Sequence, residues 1–293
     1  MALQALYELP APAKLNLFLH VVGRRADGYH LLQSVFALID WCDTLHVERR
    51  ADGRLQRHDL GPALPADDLC LRAARALQAA SGTPLGADIS IDKQLPWGAG
   101  LGGGSSDAAT TLLALNRLWG LGWPRSRLLE LAAGLGADVP FFVGGRNAFV
   151  EGVGERLTPI EVPRQWYAVV KPAASIATQD IFRDPTLVRD TEAVILAGSL
   201  DGASRLAGLA SGFGRNDLQA PAQSQCPEVA QVARWLEARF GNSRMTGSGS
   251  AVFSRAGTGD QPMATLPAQD MAPGWVGRMC RGLPQHPLCG WAD

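Results

Sequence analysis

Hydrophobic and polar positions near the start of the chain recur with a period of two. In AKLNLFLHVV, Leu15, Leu17 and Leu19 fall on one face and Lys14, Asn16 and Phe18 on the other. That alternation predicts a strand with a core face and a second face carrying two polar groups. Turn chemistry follows at Asp27-Gly28. SVFALIDWCDTLHVE then predicts one or two further strands, with DGRL from Asp52 as a hairpin-like turn. From Asp67 the composition turns helical, with Asp67 or Asp68 placed to cap the start and Gly82 the end. Alternation returns at Ile89, Ile91 and Lys93, a strand that stops at Pro96 and delivers the chain into a run of glycines. Residues 105–119 predict a helix with Ala109, Leu112, Leu113 and Leu118 as its apolar stripe, and residues 125–133 a shorter one.

The character changes after FVEGVGERLTPIEVP. Pro159 and Pro163 interrupt the pattern and WYAVVKP opens a fresh strand, so the expected division is residues 1–158 and 159–293. The second part holds IFRDPTLVRD, a small-residue region over 197–214, a helix over 228–240 and the string SRMTGSGSAVFSR. Residues 256–274, rich in Gly, Pro and Ala, predict a loop or an irregular helix. There is no internal repeat.

Composition narrows the classes. A chain of 293 residues with 46% hydrophobic and 19% charged residues can bury a sizeable core and carries no disorder signature. A net charge of −1 argues against a basic surface for nucleic acid. Five scattered cysteines without a C-x-x-C pair fit reduced thiols better than disulfides or a zinc site. The first residues, MALQALYELPAPAK, have no basic stretch before an apolar one, and no apolar run is long enough to span a bilayer. A cytoplasmic protein without membrane or nucleic-acid partners is expected.

The chemistry concentrates in LPWGAGLGGGSSDAA, Leu95 to Ala109. Glycines before a helix let the backbone approach a guest closely, and free N–H groups with a favourable dipole make that guest an anion. Gly98, Gly100 and Gly103 satisfy G-x-G-x-x-G, but Pro96-Trp97 separates them from the strand and no acid follows about twenty residues on, so a dinucleotide fingerprint fails. No lysine follows in Walker position, and the H-R-D and D-F-G of protein kinases are missing. Ser105 or Ser106 is placed to cap the helix, and Asp107 reads mainly as a helix-start residue.

The longer string PWGAGLGGGSSDAA resembles the phosphate loop of the GHMP kinases, small-molecule kinases named for galactose, homoserine, mevalonate and phosphomevalonate. PAKLNLFLHVVGRRADGYHLLQSVF, LGADVPFFVGG, AFVEGVGERLTPI and MTGSGSAVF resemble other segments of that family, so the likeness runs from Pro12 to about Phe253. The resemblance implies an α+β fold in two domains, the first like domain 2 of ribosomal protein S5 and the second ferredoxin-like, with ATP and substrate meeting in the cleft. It implies an ATP-dependent kinase, with Mg²⁺ neutralising phosphate charge through ligands the sequence does not name. Phosphoryl transfer to an alcohol needs an anion cradle, a cation and a carboxylate for the hydroxyl proton. By the resemblance these are the loop from Pro96 and Trp97 through Gly98, Ala99, Gly100, Leu101, Gly102, Gly103 and Gly104 to Ser105 and Ser106, then Lys14, and Asp138 of GLGADVP. Lys93 and Asp68 are implied at the nucleotide; Asp68 stands where relatives carry Asn, and can only accept when ionised.

The acceptor follows from the same likeness, which is closest to members that phosphorylate the 2-hydroxyl of a cytidine-diphosphate-linked methylerythritol in non-mevalonate isoprenoid synthesis. It implies Tyr29 and Phe182 on either side of the cytosine, His30 at the base edge, Asn16 and Thr178 on polar groups, and Val153, Gly247 and Ser248 as further contacts. A kinase of another small alcohol such as homoserine, and a catalytically silent nucleotide-binding regulator, are the alternatives. Tyr29, His30 and Phe182 argue against the first; Lys14 with Asp138 argues against the second. A monomer or weak homodimer is expected.

Overall fold

A computed structural model describes residues 3–194 and 208–293, so most of the small-residue region lies outside the described residues. Two long antiparallel strands, β1 (Ala5–Arg24) and β2 (His30–Arg50), form the spine. The free edge of β2 pairs at its start with β5 (Ala148–Gly152) and at its end with β4 (Gly86–Asp92). β3 (Leu55–Asp59) runs parallel to β4, and β6 (Arg156–Pro159) closes the six-stranded sheet beyond β5.

The DGRL turn is therefore not a hairpin. β4 intervenes between β2 and β3 because its Ala87, Ile89 and Ile91 are fully buried and suit a central position, whereas LQRHD is polar and half-exposed and suits an edge. SVFALIDWCDTLHVE belongs to one strand, β2. Both faces of β1 are covered. Leu9 and Ala11 pack toward the helices; Ala13, Leu15 and Leu17 pack between the two sheets with Val35, Tyr167 and Phe253.

The helical layer comprises α1 (Leu69–Ser81), α2 (Gly103–Leu118), α3 (Arg125–Ala133) and α4 (Val139–Gly144). Asp68 caps α1, and Gly82 ends it at φ 65°. α2 is buried on nearly every side and is the centre of the layer.

The second sheet joins β7 (Trp166–Lys171), β8 (Arg244–Met245), β9 (Val252–Arg255) and β10 (Val276–Arg281) in the order β10-β7-β9-β8. Fourth-first-third-second, all antiparallel, is the ferredoxin-like order. Between β7 and β8 lie α5 (Thr178–Arg183), α6 (Gln219–Gln225) and α7 (Pro227–Phe240). Val229, Val232, Leu236 and Phe240 of α7 pack against Val170, Met245 and Val252. Between β9 and β10 only a short 3₁₀ turn forms, Ala268–Asp270. The last residues return to the first unit, where the Arg125 guanidinium donates to the carbonyls of Val143, Cys289 and Ala292. Among the described residues no helix is long and apolar enough to cross a membrane.

Candidate active site

Three adjoining cavities form one cleft. The first, about 430 Å³, is walled by Asp68, Lys93, Asp107 and residues 95–105. The second, about 290 Å³, is lined by Lys14, Asn16, Ser34, Phe36, Asp138, Gly247 and Ser248, and the third, about 770 Å³, by Tyr29, His30, Phe182 and Arg189 among others. Gly98, Gly100 and Gly102 line both the first and the second. Leu32, Val153, Thr178 and Phe182 line both the second and the third. The glycine run is thus a partition with one cavity on each side.

Its path is dictated at two positions. Gly100 has φ +74°, and a Cβ there would stand 2.3 Å from the Thr246 carbonyl oxygen. Gly102 has φ +73°, and a Cβ would meet the Phe142 ring at 3.0 Å and the Lys14 Cε at 3.3 Å. Only glycine meets both requirements. The carbonyls of Gly98, Ala99 and Leu101 accept from the N–H groups of Ser250, Ala251 and Lys14 at 3.0, 3.1 and 3.0 Å, which ties the run to both sheets.

Neither serine caps α2. The cap is Gly102, without a side-chain hydrogen bond, which leaves first-turn N–H groups available beside the first cavity. Ser105 lines that cavity; the Ser106 hydroxyl is buried and unpartnered. Asp107 is not a helix-start residue either, because it lies beyond the first turn of α2. It is buried and lies 2.6 Å from the Lys93 Nζ, which also contacts Asp43. Asp43 is fully buried and accepts from the N–H groups of Gln94 and Leu95 at 2.6 and 2.7 Å, pinning the start of the run. Burial pushes the Asp107 carboxyl up against the pull of Lys93, and Asp43 pushes the same way. The helical turn carries Asp107 inward, where one ammonium serves two carboxylates. Asp68 is engaged as well, accepting from Leu71 N–H and pairing with Arg57, both at 3.0 Å.

In the second cavity Lys14 is 4% exposed. Its Nζ donates to Asn16 Oδ1 at 2.6 Å, lies 3.4 Å from Asp138 Oδ2 and sits 4.4 Å above the Phe36 ring. A buried ammonium needs such partners. Asn16 is oriented in turn by Ser34, to whose hydroxyl it donates at 2.9 Å, and by Thr246, which accepts from its N–H at 2.9 Å. Asp138 directly precedes α4 without capping it, so its carboxylate is free to face the cavity and keeps 30% of its side-chain exposure. A carboxylate beside a fixed ammonium, next to an anion-binding turn, can take a proton from a hydroxyl held between them.

At the far end, His30 and Phe182 stack with centroids 4.9 Å apart and planes 27° apart, while Tyr29 stands on the rim, 64% exposed. Arg189 donates from Nε to His30 Nε2 at 3.2 Å. Burial, then Arg189 and Arg24, hold His30 below its ordinary pKa. Thr178 and Ser248 share a hydroxyl hydrogen bond of 2.7 Å, and a Cβ on Gly247 would stand 3.0 Å from the Gly100 carbonyl oxygen. The residues singled out in the sequence line one cleft except Ser106, which is fully buried in α2. Asp43, Ser34, Phe36, Thr246 and Arg189 were not foreseen. Phe36 was accessible in principle, since pairing two alternating strands sets it opposite Asn16.

Residues 68–146 match the family GHMP kinases N terminal domain and residues 192–262 match GHMP kinases C terminal. The chain is 66% identical over 293 residues to 4-diphosphocytidyl-2-C-methyl-D-erythritol kinase of Methylibium petroleiphilum, covering 100% of each. It resembles a crystal structure of 4-(cytidine 5'-diphospho)-2C-methyl-D-erythritol kinase with a TM-score of 0.76 at 37% identity, over 94% of this chain and 99% of that one. The homoserine kinase of Cytophaga hutchinsonii shares the fold, with a TM-score of 0.66 at 15% identity over 97% and 96% of the two chains.

Proposed function

The chain belongs to the GHMP kinase family, and from that premise we propose that it transfers the γ-phosphoryl group of ATP to the 2-hydroxyl of 4-diphosphocytidyl-2-C-methyl-D-erythritol. The observation that carries the reading is the placement of the Lys14–Asp138 pair, 3.4 Å apart, between the glycine partition and the stacked His30–Phe182 pair.

The first cavity takes the nucleotide, and N–H groups of the run from Gly98 to Ser105 hold its phosphates at the start of α2, the Ser106 N–H being donated to the Gly102 carbonyl. Pro96, Trp97, Lys93 and Asp68 shape the remaining wall, the Lys93 ammonium being neutralised between Asp43 and Asp107. The third cavity takes the cytidine, with Phe182, His30 and Tyr29 as its aromatic surfaces. Asn16, Thr178, Val153, Gly247 and Ser248 line the way from the base to the reacting hydroxyl.

Asp138 accepts the hydroxyl proton as the oxygen attacks the γ-phosphorus and ADP leaves. Lys14, 3.4 Å away, orients that carboxylate and stabilises charge on the transferring group. The transition state is loose, so the base contributes mainly through its position. Mg²⁺ arrives with ATP as part of the substrate. Among the described residues no group of three or more His, Cys, Asp or Glu could hold a metal ion, and phosphates with water ordinarily supply most of the Mg²⁺ shell.

The division at 158/159 is read as the boundary between phosphate-loop and ferredoxin-like units, with the last dozen residues packed back on the first. The free cysteines fit a cytoplasmic setting. The test is ADP release: turnover is expected with the cytidine-linked methylerythritol and not with homoserine or mevalonate.

A further inference from the structure

We propose that Arg189 is a positioning residue that fixes His30 as its Nδ1–H tautomer, so that the ring meets the substrate pyrimidine only as a hydrogen-bond donor. This rests on the reading above that the third cavity takes the cytidine.

Arg189 is committed on every side. Its Nε donates to His30 Nε2 at 3.2 Å, its Nη1 to the Leu187 carbonyl at 2.9 Å, and its Nη2 to the carbonyls of Phe182 and Asp184 at 3.1 and 2.8 Å. One guanidinium therefore holds both members of the stacked pair, the imidazole by its nitrogen and Phe182 by its backbone. The fork is rigid, and it can only donate. A ring nitrogen facing it must offer its lone pair, which sends the single proton of a neutral imidazole to Nδ1.

The surroundings keep the ring neutral. The charged side chains of the same cavity are Arg24, Arg183, Arg189 and Asp27, and Asp27 is already paired with Arg25 at 2.6 Å. The stacked Phe182 offers no charge. Burial with Arg189 and Arg24 disfavours an imidazolium. A donor-only imidazole accommodates a base edge that presents an acceptor. Cytosine offers its ring N3 and its O2, whereas uracil replaces the N3 acceptor with N3–H, which would face the imidazole donor to donor.

Long-range ¹H–¹⁵N spectra of the full chain read the tautomer directly, with the His30 signals assigned by their loss in His30→Asn. The expected wild-type result is a proton on Nδ1 and an imidazole less protonated at pH 6.5 than a free ring, which is half-protonated there. In Arg189→Met the Nε2–H form should appear and the ring should titrate at higher pH; Arg189→Lys, which keeps a cationic donor, should restore much of the wild-type pattern. The kcat/KM preference for the cytidine-linked over the matching uridine-linked substrate should fall about tenfold in Arg189→Met, the worth of one hydrogen bond. A wild-type proton on Nε2 overturns the proposal without needing any variant. So does an unchanged tautomer in a folded Arg189→Met, or a changed tautomer with an unchanged substrate preference. Failure of the wild type on the cytidine-linked substrate would instead overturn the proposed function, and the spectra would still decide the tautomer.

Discussion

Gly100→Ala probes the partition where backbone geometry is least forgiving. The residue sits at φ +74°, and the added methyl would stand 2.3 Å from the Thr246 carbonyl oxygen and 3.2 Å from Gly249 N and O. All three are main-chain atoms, so no rotamer change relieves the contact. An L-residue in left-handed backbone costs roughly 1–2 kcal/mol. Moving the run off Thr246 also endangers the bonds from Ser250 N–H to Gly98 and from Ala251 N–H to Ala99, each worth about 1 kcal/mol. Roughly 3 kcal/mol then separates the variant loop from the phosphate-binding shape, and kcat/KM for ATP should fall on the order of a hundredfold. Steady-state kinetics over ATP concentration, with thermal melts, separates loop from fold. Gly120→Ala is the control: it has φ +67° but nothing within 4 Å of a new Cβ, so it should lower Tm slightly and leave KM for ATP alone. A folded Gly100→Ala with wild-type kcat/KM for ATP would refute the assignment of this run as the phosphate cradle.

Two further outcomes follow from the structure. Asp138→Asn keeps shape and volume but removes the proton acceptor 3.4 Å from Lys14, so kcat should drop on the order of a hundredfold or more with little change in Tm; an unchanged kcat would remove Asp138 from the chemistry. His286 is fully buried, accepts from Leu288 N–H at 3.0 Å, and burial lowers its pKa to about 4. With the folded value below the unfolded one, the unfolded chain protonates first. Stability is therefore whole above about pH 6.5 and declines by about 3 kcal/mol as pH falls to 4. His286→Asn, which still offers an acceptor to Leu288, should flatten the Tm profile across that window, and an unchanged slope would contradict the assignment.

Much of this was legible in the sequence because it is written in local rules. Asp68, Gly82 and the glycine run announce themselves through backbone preference, and α3 appears at the residues its pattern predicts. The polar face of β1 was legible as a face, and it proved to be the floor of the second cavity. Long-range pairing was not legible. Nothing in LQRHD states that β4 will slip between it and β2, since that choice is settled by which strand buries more apolar surface. Asp107 was misread for a similar reason. Its neighbours in sequence are serines and alanines, but its partner Lys93 follows β4 and is shared with Asp43 of β2. Arg189 carries no motif, and its meaning lies in one nitrogen of a ring 159 residues away in the chain.

The proposed phosphoryl transfer is tested most directly by product formation from ATP and 4-diphosphocytidyl-2-C-methyl-D-erythritol, followed by phosphorus NMR and ADP release, beside homoserine and mevalonate. One new phosphomonoester at the 2-hydroxyl, stoichiometric with ADP, is expected, with no turnover of the other two alcohols. Phosphorylation of homoserine or mevalonate in place of the cytidine-linked substrate would contradict the proposed transfer.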